Sequence, residues 1–296
     1  MGVNWKSRVL KIFHFSNALK LRRFIFSFFF LRSLPIKYRA NGQSVKKSSF
    51  SDGTSYVKVC EICLIDNSVY TNFRRYQEYR EILEHVTYKQ GLEYLAIAKN
   101  TPNYKSFFEN GKSINDIGNP VNFYYPRIGI SSPTTLRYLK VLCDLITIFG
   151  DLNRKSISEI GVGFGGQAHM IMCNFNVNQY RLYDLSPVNK LAQKVLNDLG
   201  IKSRMKFIDD QNLIYDDSDI VISNYAFSEL TRATQNLYLE NVILKSKSGY
   251  ITWNDISEKY LDGYSLSEFT SLIPNARVFE ENPLTAKNNK IIVWLQ

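Results

Sequence analysis

The residues best equipped for chemistry stand in one short run, Glu159-Ile160-Gly161-Val162-Gly163-Phe164-Gly165-Gly166, where a buried strand over 156–162 gives way to a helix opening at Gln167. Glycine lets the backbone approach a ligand, and the helix start behind it offers unpaired N–H groups. The spacing fits two patterns. Gly161, Gly163 and Gly166 satisfy the dinucleotide pattern G-x-G-x-x-G, while Gly161, Gly163 and Gly165 satisfy the G-x-G-x-G of S-adenosylmethionine enzymes. In either scheme Asp184 ends the following strand, where a carboxylate accepts hydrogen bonds from ribose hydroxyls.

Groups able to move a proton lie elsewhere in the chain. Glu229 follows the fourth predicted strand at the carboxyl edge of the sheet, where ligands of such folds bind, and is the first candidate for a general base. His85 and His169 come next. Each has a plainer role available: Glu229 as a cap for a helix beginning near Thr231, His85 as a helix-face histidine, and His169 as packing in the first turns after the glycine run. Asp255, past the fifth strand, could join Glu229 at a divalent cation such as Mg²⁺, but two carboxylates do not define a metal site, so no metal ligand is assigned. Cys60 and Cys63 have the spacing of half a zinc site with no second pair, and Cys143 and Cys173 sit in apolar helical contexts that suit small core residues.

Elements must position these groups. Strands are predicted over 156–162, 180–185, 204–208, 219–223 and 249–253, with helices from 167, over 187–199 and over 232–245. That alternation implies an α/β fold with a doubly wound, mostly parallel sheet. After a helix over 266–273, strands over 276–280 and 290–295 joined by a loop should pair antiparallel. Upstream, apolar spacing predicts helices over 70–99 and 134–149. The stretch between them, punctuated by Pro102, Gly111, Gly118, Pro120, Pro126, Gly129 and Pro133, reads as loop, and residues 41–55, rich in Gly, Ser and Lys, read as a linker. The organisation expected is a basic aromatic arm and linker over 1–50, a helical substrate subdomain over 51–150, and a cofactor-binding sheet domain over 151–296.

The net charge of +10 belongs to the arm. Of 37 Lys and Arg, eleven fall within residues 1–50, which hold no acid, so the other 26 stand against 27 acids. A near-neutral body argues against nucleic acid as a partner, because proteins that track polyphosphates spread cations over the folded face. Basic residues among Trp5, Phe13, Phe15, Phe24, Phe26, Phe28, Phe29 and Phe30 instead suit an anionic membrane surface, with a cationic helix packing on protein as the alternative. No apolar run nears the roughly 18–20 residues of a spanning helix. Four scattered cysteines point to a reducing, cytoplasmic compartment.

With Glu159 two residues before the first glycine, a motif placed past mid-chain and a reversed terminal strand pair, the second half resembles the class I S-adenosylmethionine-dependent methyltransferases. More narrowly, 159–167, 183–185 and 223–230, together with Glu84-His85-Val86, Gly118-Asn119-Pro120 and 132–138 upstream, resemble the sugar O-methyltransferase family of bacterial polysaccharide gene clusters, over roughly residues 60–296. The resemblance implies S-adenosylmethionine as cofactor and, as acceptor, a sugar nucleotide or lipid-linked glycan. It places Glu159, Gly161, Gly163, Gly165, Gly166 and Asn224 at the cofactor, Asp184 at its ribose, and Asp209 or Asp210 near the adenine amine. Asn224-Tyr225-Ala226-Phe227 lacks the prolines of enzymes that methylate base amino groups. Two alternatives stand beside this reading: a nicotinamide-dependent sugar-nucleotide oxidoreductase or epimerase, for which no Tyr-x-x-x-Lys pair occurs in the sheet half, and a catalytically silent module of the same fold.

Overall fold

The computed structural model describes residues 48–202, 204–209 and 217–295; the arm over 1–47 and Asp210 lie outside them. The described chain begins with α1 (Ser55–Ile65), two short helical turns (Asn67–Tyr70 and Gln77–Arg80) and α2 (Tyr88–Ala98). The single helix expected over 70–99 is therefore broken. Thr87 and Gln90 close a capping box, each side chain satisfying the other's backbone N–H, and this starts α2 afresh after a non-helical stretch. The expected loop beyond it also holds structure: α3 (Tyr104–Gly111) and a hairpin of β1 (Phe123–Tyr125) and β2 (Gly129–Ser131). Next comes α4 (Pro133–Phe149), opened by Ser132, which accepts from the Thr135 N–H, and by Pro133 in the first turn.

From there strands and helices alternate as the periodicity requires. The order is β3 (Ser156–Ile160), α5 (Gly166–Met172), β4 (Gln179–Asp184), α6 (Ser186–Asp198), β5 (Met205–Asp209), β6 (Ser218–Asn224), α7 (Arg232–Tyr238), β7 (Ser246–Trp253), α8 (Leu266–Leu272), β8 (Arg277–Glu280) and β9 (Lys290–Leu295). They form a seven-stranded sheet in the order β5-β4-β3-β6-β7-β9-β8. β9 runs antiparallel to β7 and to β8, and the other pairs are parallel, so the expected doubly wound Rossmann-like sheet with a reversed C-terminal strand is present.

Strand alternation divides the apolar residues between two cores. Ile157, Leu182, Ile220, Ile222 and Tyr250 face one side and merge with α1, α2, α4, α5 and α6, so the helical region and the sheet share a continuous core. Ile160, Tyr183, Val221, Ile251 and Trp253 face the other side, against Tyr238 of α7 and Phe269 of α8. Each large side chain so buried contributes about 1.5–3 kcal/mol. Among the described residues no helix is long and apolar enough to cross a membrane.

Candidate active site

The chain enters the sheet at β3, winds outward through β4 and β5, and returns to the other side of β3 as β6. Strand order reverses there, which leaves a crevice beyond the carboxyl ends of β3 and β6. A cavity of about 410 Å³ occupies it, lined among others by Gly161, Gly163, Asp184, Asn224, Glu229 and His85. That size is ordinary for a small-molecule site.

The glycine run makes the floor. Gly161 has φ +80°, and a Cβ there would collide with the Ala226 methyl; Gly163 has φ +54° and sits close under the Leu83 side chain. Both positions require glycine. Asp184 holds the turn in place: its Oδ2 accepts from the backbone N–H groups of Val162 (2.8 Å) and Gly163 (3.1 Å), and its Oδ1 from Leu185 N–H (2.8 Å). The carboxylate expected at the ribose is thus also the brace of the loop beside it. Gly165 and Gly166 face away from the cavity, toward Leu196 and Tyr138.

Three further expected site residues also lie apart from the cavity. Glu159 is 2% exposed, accepts the Tyr180 hydroxyl on Oε2 (2.6 Å), and burial pushes its carboxyl up to about 8. Asp209 at the end of β5 accepts from the Asn189 side-chain amide (3.1 Å). His169, on α5, is fully buried, with Nε2 3.2 Å from Ser113 Oγ and 3.3 Å from Cys173 Sγ. Burial pushes its pKa down to about 4, and the ring packs α5 against the turn at Ser113 rather than facing the cavity.

Glu229 and His85 both line the cavity. Thr231, not Glu229, caps α7, its side chain accepting from the Thr234 N–H. The Glu229 Oε1 instead accepts from Asn254 Nδ2 (2.7 Å), and burial raises its carboxyl above the ordinary range. His85 stays exposed at the cavity mouth, where the surrounding walls and then the Arg137 guanidinium push its pKa down. Asp255 is engaged by Lys259 (2.5 Å) and Asn288 (2.9 Å), and among the described residues no group of three or more His, Cys, Asp or Glu could hold a metal ion. Cys60 and Cys63 are buried within α1, where burial pushes both thiols up.

Several wall residues were not among the expected site residues. The end of the expected linker is one: Phe50 N–H donates to the Glu229 carbonyl (2.8 Å), Thr231 N–H donates to the Ser48 carbonyl (3.0 Å), and 48–51 line the cavity. Tyr225 is another, with φ +70° and its hydroxyl on Glu281 Oε1. A bulky non-glycine residue in that region is uncommon, and only the backbone reveals it. Arg137 and Tyr94 complete the wall. Buried Asn224 Oδ1 has no partner, so the cavity presents an unanswered acceptor beside a braced glycine loop and a carboxylate. Such a set fits a nucleoside with a polar tail.

No protein-family model matches the chain, and no curated protein matches it in sequence. Among solved structures it is similar to the mitomycin 7-O-methyltransferase MmcR, at 16% identity over 54% of this chain and 56% of that chain, with a TM-score of 0.37. It is also similar to a candidate O-methyltransferase from Nostoc punctiforme, at 12% identity over 77% and 76% of the two chains (TM-score 0.40). An rRNA methylase from Streptococcus thermophilus matches at 15% identity over 54% and 98% (TM-score 0.39). The chain thus spans about half the length of MmcR.

Proposed function

We propose that this chain is an S-adenosylmethionine-dependent O-methyltransferase that acts on a sugar hydroxyl during surface glycan assembly. The observation that carries the reading is the meeting, in one cavity at the strand-order reversal, of Gly161, Gly163, Asp184 and Asn224 with Glu229 and His85. When bound, S-adenosylmethionine supplies a sulfonium methyl group that an oxygen attacks in line. Asp184 would receive the ribose hydroxyls, and Gly161 and Gly163 would lie against the sulfonium side.

A sugar hydroxyl has a pKa far above 7, so its proton must leave as the new O–C bond forms and the S–C bond breaks. In this reading Glu229 takes it. A carboxylate whose pKa is raised toward the working pH is a stronger base than an exposed one, and the Asn254 amide fixes its orientation. His85 is the second group: its lowered pKa keeps the imidazole neutral but makes it a weaker base than an ordinary histidine. The sugar acceptor is supported by the resemblance of 132–138 and 223–230 to the glycan family. The arm, with its concentrated positive charge, would hold the enzyme reversibly on an anionic membrane face where lipid-linked saccharides are made. Full-length protein incubated with S-adenosylmethionine and a panel of sugar nucleotides should release S-adenosylhomocysteine and methylated sugar in equal amounts. Oxidation or epimerisation of those sugars with NAD, and no methyl transfer, would point to the oxidoreductase instead.

A further inference from the structure

The sheet runs on past the helix that covers its centre. α4 lies against β7, where the Tyr250 hydroxyl donates to Asp144 Oδ2 (2.7 Å), but β9 and β8 continue beyond it, and all four residues of β8 are exposed. A groove of about 790 Å³ results, larger than the candidate active-site cavity. Its walls are Ile148 of α4, Ile97 of α2, Ile291, Val293 and Leu295 of β9, and Phe279 of β8. Phe279 and Leu295 are 51% and 52% exposed. Apolar side chains left open around a concavity of that size mark a binding surface rather than ordinary surface scatter.

The polar groups inside the groove answer one another. Lys140 pairs with Asp144 (2.6 Å), and the Tyr250 hydroxyl shares the same carboxylate oxygen. What remains is hydrocarbon with one charge at its edge. Arg277, exposed on β8, makes no ion pair among the described residues, and Glu280, the acid on its own strand, is held by Lys290 (2.5 Å). The lining therefore carries a single net positive charge, Lys140 and Arg277 against Asp144. The arm matches it poorly, since residues 1–50 bring eleven cations and no acid. A second copy matches it poorly too, because a two-fold contact sets groove against groove and two concavities leave a void. We propose that the groove binds a long-chain fatty acid, its hydrocarbon laid along β9 and its carboxylate at Arg277. The six residues of β9 give a floor roughly 20 Å long. Each methylene that leaves water there adds affinity, while the head group stays at the wet rim beside a cation. Nothing in this site depends on the methyl donor.

The test varies the chain, the head group and the groove in turn. Full-length protein would be titrated calorimetrically with laurate, octanoate and 1-decanol, each below its aggregation limit. Laurate should bind saturably at one per chain and at least about tenfold more tightly than octanoate, because four further methylenes leave water. Phe279→Asp should weaken laurate by about tenfold or more. Arg277→Glu should weaken it by about threefold or more while leaving the uncharged 1-decanol within about twofold. Both side chains are exposed, so both variants should unfold at the wild-type midpoint. Octanoate binding as tightly as laurate would overturn the site. So would laurate affinity unchanged in both variants, which would give the chain to the basic arm instead. Absence of laurate binding would overturn it as well, and a wild-type dimer that Phe279→Asp dissociates would then assign the groove to a second copy.

Discussion

The residues of the cavity divide by how much of their chemistry is local in the chain. The glycine run and Asp184 are readable because each role depends on a strand–turn–helix neighbourhood of a few residues. Glu229 is readable from its place after a strand. What it touches is not, because Asn254 approaches from the residue just after the neighbouring strand β7. Asn224 sits in a segment that resembles a known family, yet nothing in that segment shows that its side-chain oxygen lacks a donor. If Glu229 takes the substrate proton, activity falls as pH drops through a pKa above the ordinary carboxylate range, because only the ionised form is a base. Glu229→Gln should lower kcat by about 10²–10⁴ and remove that acid limb, with donor affinity nearly unchanged. Near-normal turnover in the variant would shift the role to His85.

Glu159 makes a separate residue-level prediction. Its folded-state pKa of about 8 lies well above the 4.5 of an ordinary glutamate, so between those values the folded chain holds a proton the unfolded chain has released. Stability from this group is therefore greatest at low pH and falls as pH rises from about 4.5 to about 8, by an amount on the order of a few kcal/mol. Glu159→Gln keeps an acceptor for the Tyr180 hydroxyl and removes the ionisation. Urea denaturation at a series of pH values should show the decline flattened in the variant, and identical pH dependence in both proteins would mean the carboxyl is not held neutral by burial.

At the scale of elements, the strands and sheet-covering helices were legible from period and punctuation, and the helical region was legible only in outline. Apolar spacing carries through 70–99, but a capping box at Thr87 and Gln90 is a stronger local instruction than the spacing and restarts the helix. Between 100 and 133 the prolines and glycines that signal loop in fact bracket α3 and the β1–β2 hairpin, because punctuation marks element ends as readily as it marks loops. The brace between β4 and the glycine loop is an element-level contact with two consequences. Asp184→Ala should weaken S-adenosylmethionine binding by at least ~1.5–3 kcal/mol through the lost ribose contacts. It should also lower the stability of the unliganded protein, since the Val162 and Gly163 N–H groups lose their acceptor. Calorimetry and denaturant unfolding report these separately, and undiminished donor affinity would take Asp184 out of the binding site.

For the molecule as a whole, the sheet order follows from two facts legible in the chain, alternating βα units and a closing pair without a helix between them. The cavity follows from the sheet, because the reversal at β3 and β6 leaves a crevice that the helical region then walls. The wall made by 48–51 was hidden within a linker-like composition, since its attachment to Glu229 and Thr231 is by backbone hydrogen bonds that any residue types could make. That attachment sets where the arm can be removed. At about 1 kcal/mol per basic residue near an anionic surface, the arm should hold the protein on acidic lipid vesicles at low salt. Deleting residues 1–45 should abolish co-sedimentation while sparing methyl transfer to a soluble acceptor. If the full-length protein ignores such vesicles, or the deletion unfolds the body, the arm packs on protein instead.

The central claim, that the cavity at the strand-order reversal holds a methyl donor, is tested most directly by titrating the full-length chain with S-adenosylmethionine and, separately, with NAD. One-to-one saturable binding of S-adenosylmethionine, lost or strongly weakened in Asp184→Ala, is expected, with no saturable binding of NAD. Saturable binding of NAD with none of S-adenosylmethionine would contradict it.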